Sequence, residues 1–243
     1  MLDLRDVYDR QHIHTDLGSL FKYNYIPKLW KIANVNQVFA LNNEGGILIC
    51  TWPKGGRPSQ PLLYSDETQI GYELQVAGNL FCERYILEGL TIFKSTRDRF
   101  NGKKRNPYNE FECGNHYIRS LANYSAILVL SGYGYSGIDK SIILDPKINS
   151  HDSCVFFSMD SGWGILHQRK TSREMTLSLK PSFGHVEVQK LTFSPHKRAE
   201  DVTAYSGSES ISVEFLNKNG HVEITLEKPI EVKASSPLIV KIY

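Results

Sequence analysis

Ile211-Ser212-Val213-Glu214-Phe215-Leu216-Asn217-Lys218-Asn219-Gly220-His221-Val222-Glu223-Ile224-Thr225-Leu226 is the stretch that decides the fold of the C-terminal half. Apolar side chains recur at every second position before and after Asn217-Lys218-Asn219-Gly220. That is the period at which a strand turns its side chains to opposite faces. Asn and Gly tolerate positive φ, so the four residues between the runs read as a hairpin turn. Working outward, Met175 to Leu179 repeats the alternation, and Leu238 to Ile242 reads as a terminal strand. Asp145-Pro146 and Asn149-Ser150 break any helix. They place a connector at 138–152 between a mainly helical part, 1–137, and a mainly antiparallel, β-rich part, 153–243. The fold class expected is therefore α+β in two parts.

In the helical part, a helix is expected over much of Leu4 to Tyr23. A hairpin follows, from Asn36 to Ala40 across Asn42-Asn43-Glu44-Gly45-Gly46 to Ile47–Trp52. Pro53 to Pro58 holds two prolines and two glycines and cannot be regular. The next helix is expected to start near Ser65-Asp66-Glu67, where Ser or Asp can cap free amides. It should run to Phe100 with a break between Cys82 and Tyr85, and Gly102 is the expected stop. From Asn115 to Leu130, apolar residues leave a helix little polar surface, which predicts burial between neighbours. Several such helices with long loops suit a barrel of helical hairpins, of which this chain would hold only a part.

Composition excludes several classes. The 243 residues suffice for one large domain or two small ones. A formal charge of +2, with 28 basic against 26 acidic residues, implies no nucleic-acid partner. The short basic runs at Lys103–Arg105 and His196–Arg198 read as solvated loops. No apolar run reaches about 18 residues, so no transmembrane segment is expected, and the first residues lack the apolar core of a secretory signal. Cys50, Cys82, Cys113 and Cys154 are far apart. That spacing argues against a zinc site or a disulfide framework and for reduced thiols in a cytoplasmic protein.

Chemistry-bearing residues concentrate between Asn106 and Ser120. Glu110, Glu112, Asn109, Asn115, Tyr117, His116 and Arg119 surround one loop-to-helix junction. Carboxylates accept from vicinal hydroxyls, Arg donates through a rigid fork, and aromatic faces stack on sugar C–H groups. Glu110 and Arg119 can converge on one ligand edge, or they can pair with each other and fix the junction; the residues alone divide evenly between these readings. His12 and His14 fall on different faces of a helix, so no metal site is expected. Gly55-Gly56 lacks the Lys-Ser/Thr of a phosphate loop. Ser161-Gly162-Trp163-Gly164 reads as a turn with a buried tryptophan, and no Ser or Cys has a convincing partner for nucleophilic catalysis.

The chain resembles the C-terminal portion of glycoside hydrolase family 116, the family of the non-lysosomal glucosylceramidase (bile-acid β-glucosidase). The resemblance runs through Tyr23–Tyr25, Phe39–Asn42, Cys50–Pro58, Tyr64–Glu67, Gly71–Glu73, Arg97–Arg99, Asn106–Ser120 and Leu130–Gly132. It covers about half the chain, keeps the family's order, and is loose beyond Asn149. It implies part of an (α/α)6 barrel and a retaining β-glucosidase. In such enzymes two carboxylates about 5–5.5 Å apart serve as nucleophile and acid/base. Both lie upstream of the matched portion, so no catalytic residue, cofactor or metal ligand is assigned here. Glu110 and Arg119 match the pair that holds the far hydroxyls of glucose, and Glu67 matches a further sugar-binding carboxylate. The family commonly has Trp two residues after that Glu; here it is Gln69, a departure that bears on stacking and substrate preference. The implied partners are a β-glucoside sugar and the missing N-terminal part of the enzyme as a separate chain. The chain would then be a fragment, a split-gene subunit, or a non-catalytic carbohydrate-binding or scaffolding protein derived from such an enzyme; an inactive remnant ranks below these.

Overall fold

The computed structural model describes residues 9–29, 39–41, 43–109, 115, 122–195 and 197–243. Two compact units divide the chain, Met1–Ile127 and Leu128–Tyr243.

The first unit contains α1 (Arg10–Asn24), β1 (Tyr25–Ile26), β2 (Gly46–Ile47), α2 (Ile70–Cys82) and α3 (Ile86–Arg99). Asp9 caps α1 by accepting from the Gln11 amide at 2.9 Å. Leu17, Leu20 and Phe21 of α1 pack with Ala77 and Leu80 of α2, Ile92 of α3 and Ile47. One helix, α4 (Asn123–Ser131), crosses the division between the units.

One expectation changes here. Residues Gly46–Ile47 pair antiparallel with Tyr25–Ile26, and the strand expected from Asn36 to Ala40 falls mostly outside the described residues. The Leu48 amide donates to Asn24 O at 3.0 Å and the Asn24 side-chain amide donates to Leu48 O at 2.9 Å. The end of α1 therefore captures this backbone. Residues 36–38 lie outside the described residues. The second helix begins at Ile70, not near Ser65, because the capping groups are engaged elsewhere. Ser65 Oγ donates to Leu62 O at 2.6 Å, and Glu67 O accepts from the Ile49 amide at 3.0 Å. The expected break does fall between Cys82 and Tyr85, and Gly102 follows α3 at φ 84°.

The helix ending near Leu130 is more exposed than its composition predicts, and residues 116–121 of the helix expected from Asn115 lie outside the described residues. Only Ala126 of α4 is buried, while Tyr124, Ile127 and Leu128 are exposed. A helix apolar all round needs neighbours on every side, and the described residues supply them only around Ala126. The described helices include one packed hairpin, α2–α3, and form no (α/α)6 ring.

The second unit is a strand assembly: β3 (Tyr133–Ser136), β4 (Ser141–Leu144), β5 (Asp152–Ser158), β6 (Gly162–Lys170), β7 (Met175–Phe193), β8 (Val202–Ser206), β9 (Glu209–Ile211), β10 (Val213–Lys218), β11 (His221–Lys233) and β12 (Leu238–Ile242). The long β7 belongs to two arrays. Its first half lies between β6 and β12, continuing to β8 and β9. Its second half lies between β11 and β4, and the β4 pairing is parallel. Inward residues of both arrays form one core, from Leu166, Leu177, Leu179 and Val240 to Ile142, Val188, Phe193 and Ile224.

The Asn219-Gly220 turn joins β10 to β11 with Lys218 opposite His221, and both turn residues have positive φ, 52° and 78°. The segment expected as a turn with a buried tryptophan is instead the start of β6, and Trp163 is 46% exposed. The register explains this. Gly162, Gly164 and Leu166 take the inward positions, so Trp163 points out.

Candidate functional site

Of the sequence-predicted site residues, Glu67 is described, and Glu110 and Arg119 lie outside the described residues. Glu67 sits in the loop before α2 and is nearly buried. Its amide donates to Tyr64 O at 3.0 Å, its carbonyl holds Ile49, and its carboxylate accepts from the Phe39 amide at 3.4 Å. Tyr64 itself has φ 69°, a left-handed conformation that makes the tight turn into Ser65-Asp66-Glu67.

The two loops around Glu67 are tied together. The Cys50 amide donates to Ser65 O at 2.9 Å. Arg57 grips Asp66 with both arms of its guanidinium, at 2.5 and 2.6 Å, and lies 4.8 Å from the centre of the Trp52 ring. That hydrogen bond to Asp66 holds the Arg57 guanidinium charged above its usual range. Cys50–Pro58 and Tyr64–Glu67 are thus one structure.

Two further guanidinium–carboxylate forks lie in the same unit. Arg99, 1% exposed, binds both oxygens of the fully buried Glu73. It also donates to Gly45 O at 2.7 Å, while Glu73 accepts from the Ile47 amide at 3.0 Å. A Cβ added to Gly46 would lie 2.8 Å from both Arg99 Nη1 and Glu73 Oε1, so only glycine fits there. The Arg99 Nε–H has no hydrogen-bond partner among the described residues. Glu44, nearly buried, takes Arg105 at 2.7 and 3.0 Å and the Leu41 amide at 2.8 Å. Burial alone would raise the Glu44 carboxyl. The Arg105 and Leu41 hydrogen bonds and the charges of Arg105 and Lys104 outweigh it and hold the group below the usual carboxylate range.

Arg105, at the head of the polar stretch, is therefore a structural residue, tied to Glu44 and to Arg99 O at 3.2 Å. Beyond it, Asn106 accepts from the Tyr108 amide at 2.9 Å in a local turn, and Tyr108 is 95% exposed. Of the two histidines near the start, His12 faces Asp9 at 3.4 Å and His14 stacks on Tyr85 at 4.4 Å. No group of three metal-ligating side chains occurs among the described residues. Among them, too, no helix is long and apolar enough to cross a membrane.

No family model matches the chain, and no curated protein matches it. Among solved structures, it is similar to Ara127N-Se, a GH127 β-L-arabinofuranosidase from Geobacillus stearothermophilus T6, at 13% identity and a TM-score of 0.32, over 70% of this chain and 28% of that one. It is also similar to the α-L-rhamnosidase from Dictyoglumus thermophilum, at 13% identity and a TM-score of 0.33, over 70% of this chain and 21% of that one. Both are glycoside hydrolases, and the chain spans less than a third of the length of either. Likeness at that level decides neither fold family nor reaction. The assignment to family 116 and to β-glucosides rests on the sequence resemblance.

Proposed function

We propose that the chain is the glucose-binding, C-terminal part of a retaining β-glucosidase of the glucosylceramidase-like kind, and that it binds sugar without cleaving it alone. The observation that carries this reading is the frame around Glu67. Two neighbouring segments that bear the family resemblance, Cys50–Pro58 and Tyr64–Glu67, are joined by a backbone hydrogen bond and the Arg57–Asp66 fork. Two more resemblance segments, Gly71–Glu73 and Arg97–Arg99, are linked by the buried Arg99–Glu73 fork. On this reading Glu67 and Glu110 accept hydrogen bonds from ring hydroxyls and Arg119 donates to them. Together they fix the position of the glucose ring. The nucleophile and acid/base carboxylates belong to the rest of the barrel, and the helical part of this chain contributes hairpins to that (α/α)6 barrel.

The test is a pair of measurements on the purified chain. Aryl β-glucoside hydrolysis should be no faster than that of Glu110→Ala, and calorimetric binding of octyl β-glucoside should weaken in Glu110→Gln and Arg119→Ala. Glu110-dependent turnover by the chain alone would place a catalytic pair within it and overturn the non-catalytic part. Absence of glucoside binding would remove the reading altogether.

A further inference from the structure

Residues of β5, β6 and the first half of β7 that do not enter the core share one solvent face. The strand register sets them in rows. Trp163 stands opposite Phe183 at one end, and Ile165 stands opposite Phe156 in the next row. At the other end Asp152, Arg169 and Thr176 share a row. The aromatic end is open to solvent: Phe156 is 63% exposed, Trp163 46% and Phe183 67%. The Trp163 ring centre lies 6.3 Å from that of Phe156 and 6.4 Å from that of Phe183, and the Trp163 and Phe183 planes are within 18° of parallel. Large apolar groups gathered on an open sheet face mark a place where something binds.

The polar end says what binds. His167, Arg169, Thr171, Glu174, Thr176 and Ser178 line a depression of about 300 Å³. His167 Nε2 lies 2.6 Å from Asp152 Oδ1 on the neighbouring strand. A carboxylate, a guanidinium, an imidazole and three hydroxyls therefore line one hollow. The formal charges of the lining balance, Glu174 against Arg169, so an anion or a cation would meet as much repulsion as attraction. A neutral ligand rich in hydroxyls satisfies both donors and acceptors. The aromatic end asks for an apolar, weakly positive C–H surface over the negative ring faces. A pyranose with equatorial hydroxyls offers both surfaces in one molecule. Trp163 and Arg169 are roughly 20 Å apart along β6 at about 3.4 Å per residue, so a single sugar reaches one end only.

We propose that this face is a carbohydrate-binding surface for a neutral, extended pyranose oligosaccharide, with sugar rings stacked on Trp163, Phe183 and Phe156 and hydroxyls held by Arg169, Glu174 and His167. It lies wholly within the second unit and does not depend on Glu110, Arg119 or Glu67.

The test titrates the full chain with cellohexaose and with maltohexaose, by calorimetry and by quenching of tryptophan fluorescence. Saturable binding of at least one is the expected result. It should weaken on the order of tenfold in Trp163→Ala and in Phe183→Ser, since a lost stacking contact is about 1.4 kcal/mol, or tenfold. Arg169→Ala should weaken it too, while Glu110→Gln should leave the Trp163-dependent part intact. Thermal melting of each variant separates lost binding from lost fold, and the half-exposed positions of Trp163 and Phe183 favour retained folding. Binding of neither sugar overturns the proposal, as does binding indifferent to both aromatic substitutions in folded variants. Self-association abolished by Trp163→Ala, without sugar binding, would make the face an interface between copies and would equally overturn it. If glucoside binding at Glu110 fails while cellohexaose still binds through Trp163, the function proposed above falls and this surface stands.

Discussion

Arg99 and Glu73 are charged residues with almost no contact with water, and each is the other's ion-pair partner. Breaking such a pair leaves one ion buried and alone, at a cost of about 3–5 kcal/mol. Arg99→Met should lower the urea stability of the helical unit by that amount, and Arg99→Met with Glu73→Leu should recover most of the loss. A single variant that melts like the parent would show that water already reaches the pair. Both residues were visible in the sequence as parts of short motifs, Gly71–Glu73 and Arg97–Arg99. Their role was not visible. The fork also grips Gly45 O and the Ile47 amide, and that convergence of three separate segments leaves no local periodic trace. Glu67 was legible for the same reason, as a motif residue. The fate of Arg105 was not, because its partner Glu44 lies on a loop 61 positions away.

At the scale of elements, the β10–β11 hairpin was legible from alternation and its Asn-Gly turn, although Asn217 and Lys218 extend β10 and Ile211 belongs to β9. A Cβ added to Gly220 would meet nothing within 4 Å, so the cost of Gly220→Val is conformational alone. It should be about 1–2 kcal/mol, the left-handed penalty for a side chain, read as a lower melting temperature of the second unit. Indifference to that change would mean the turn has another conformation. Strand β7 was legible only over its first five residues. Its buried positions are odd from 175 to 181, then even at 186 and 188, then odd again at 191 and 193. A period-two search loses a strand that changes phase. The phase slips accompany the passage of β7 from one array to the other, where β11 also shifts register between Thr225 and Ile230. Trp163 was misplaced because glycines, which carry no hydrophobic signal, hold the inward positions on either side of it.

For the whole molecule, the contrast between a helical first part and a β-rich second part was legible from texture. A barrel of helical hairpins was read from texture and its (α/α)6 form from the family resemblance, and the described helices form no such ring. The second unit has its own continuous core, which predicts that residues 128–243 expressed alone keep a sheet-type circular dichroism spectrum and unfold in one cooperative step. A molten, non-cooperative product would show that this core needs the first unit.

The position of β12 carries a consequence for how the molecule is made. It lies between β7 and β8, pairing Leu238 with Leu179 on one side and with Ser206 on the other. Both neighbours leave the ribosome before it does. Until residues 238–242 emerge, the nascent chain holds two facing strand edges with unpaired amides and carbonyls. Those are the edges most prone to capture another chain. The interval between synthesis of β8 and of β12 is the period in which the growing polypeptide most needs chaperone cover.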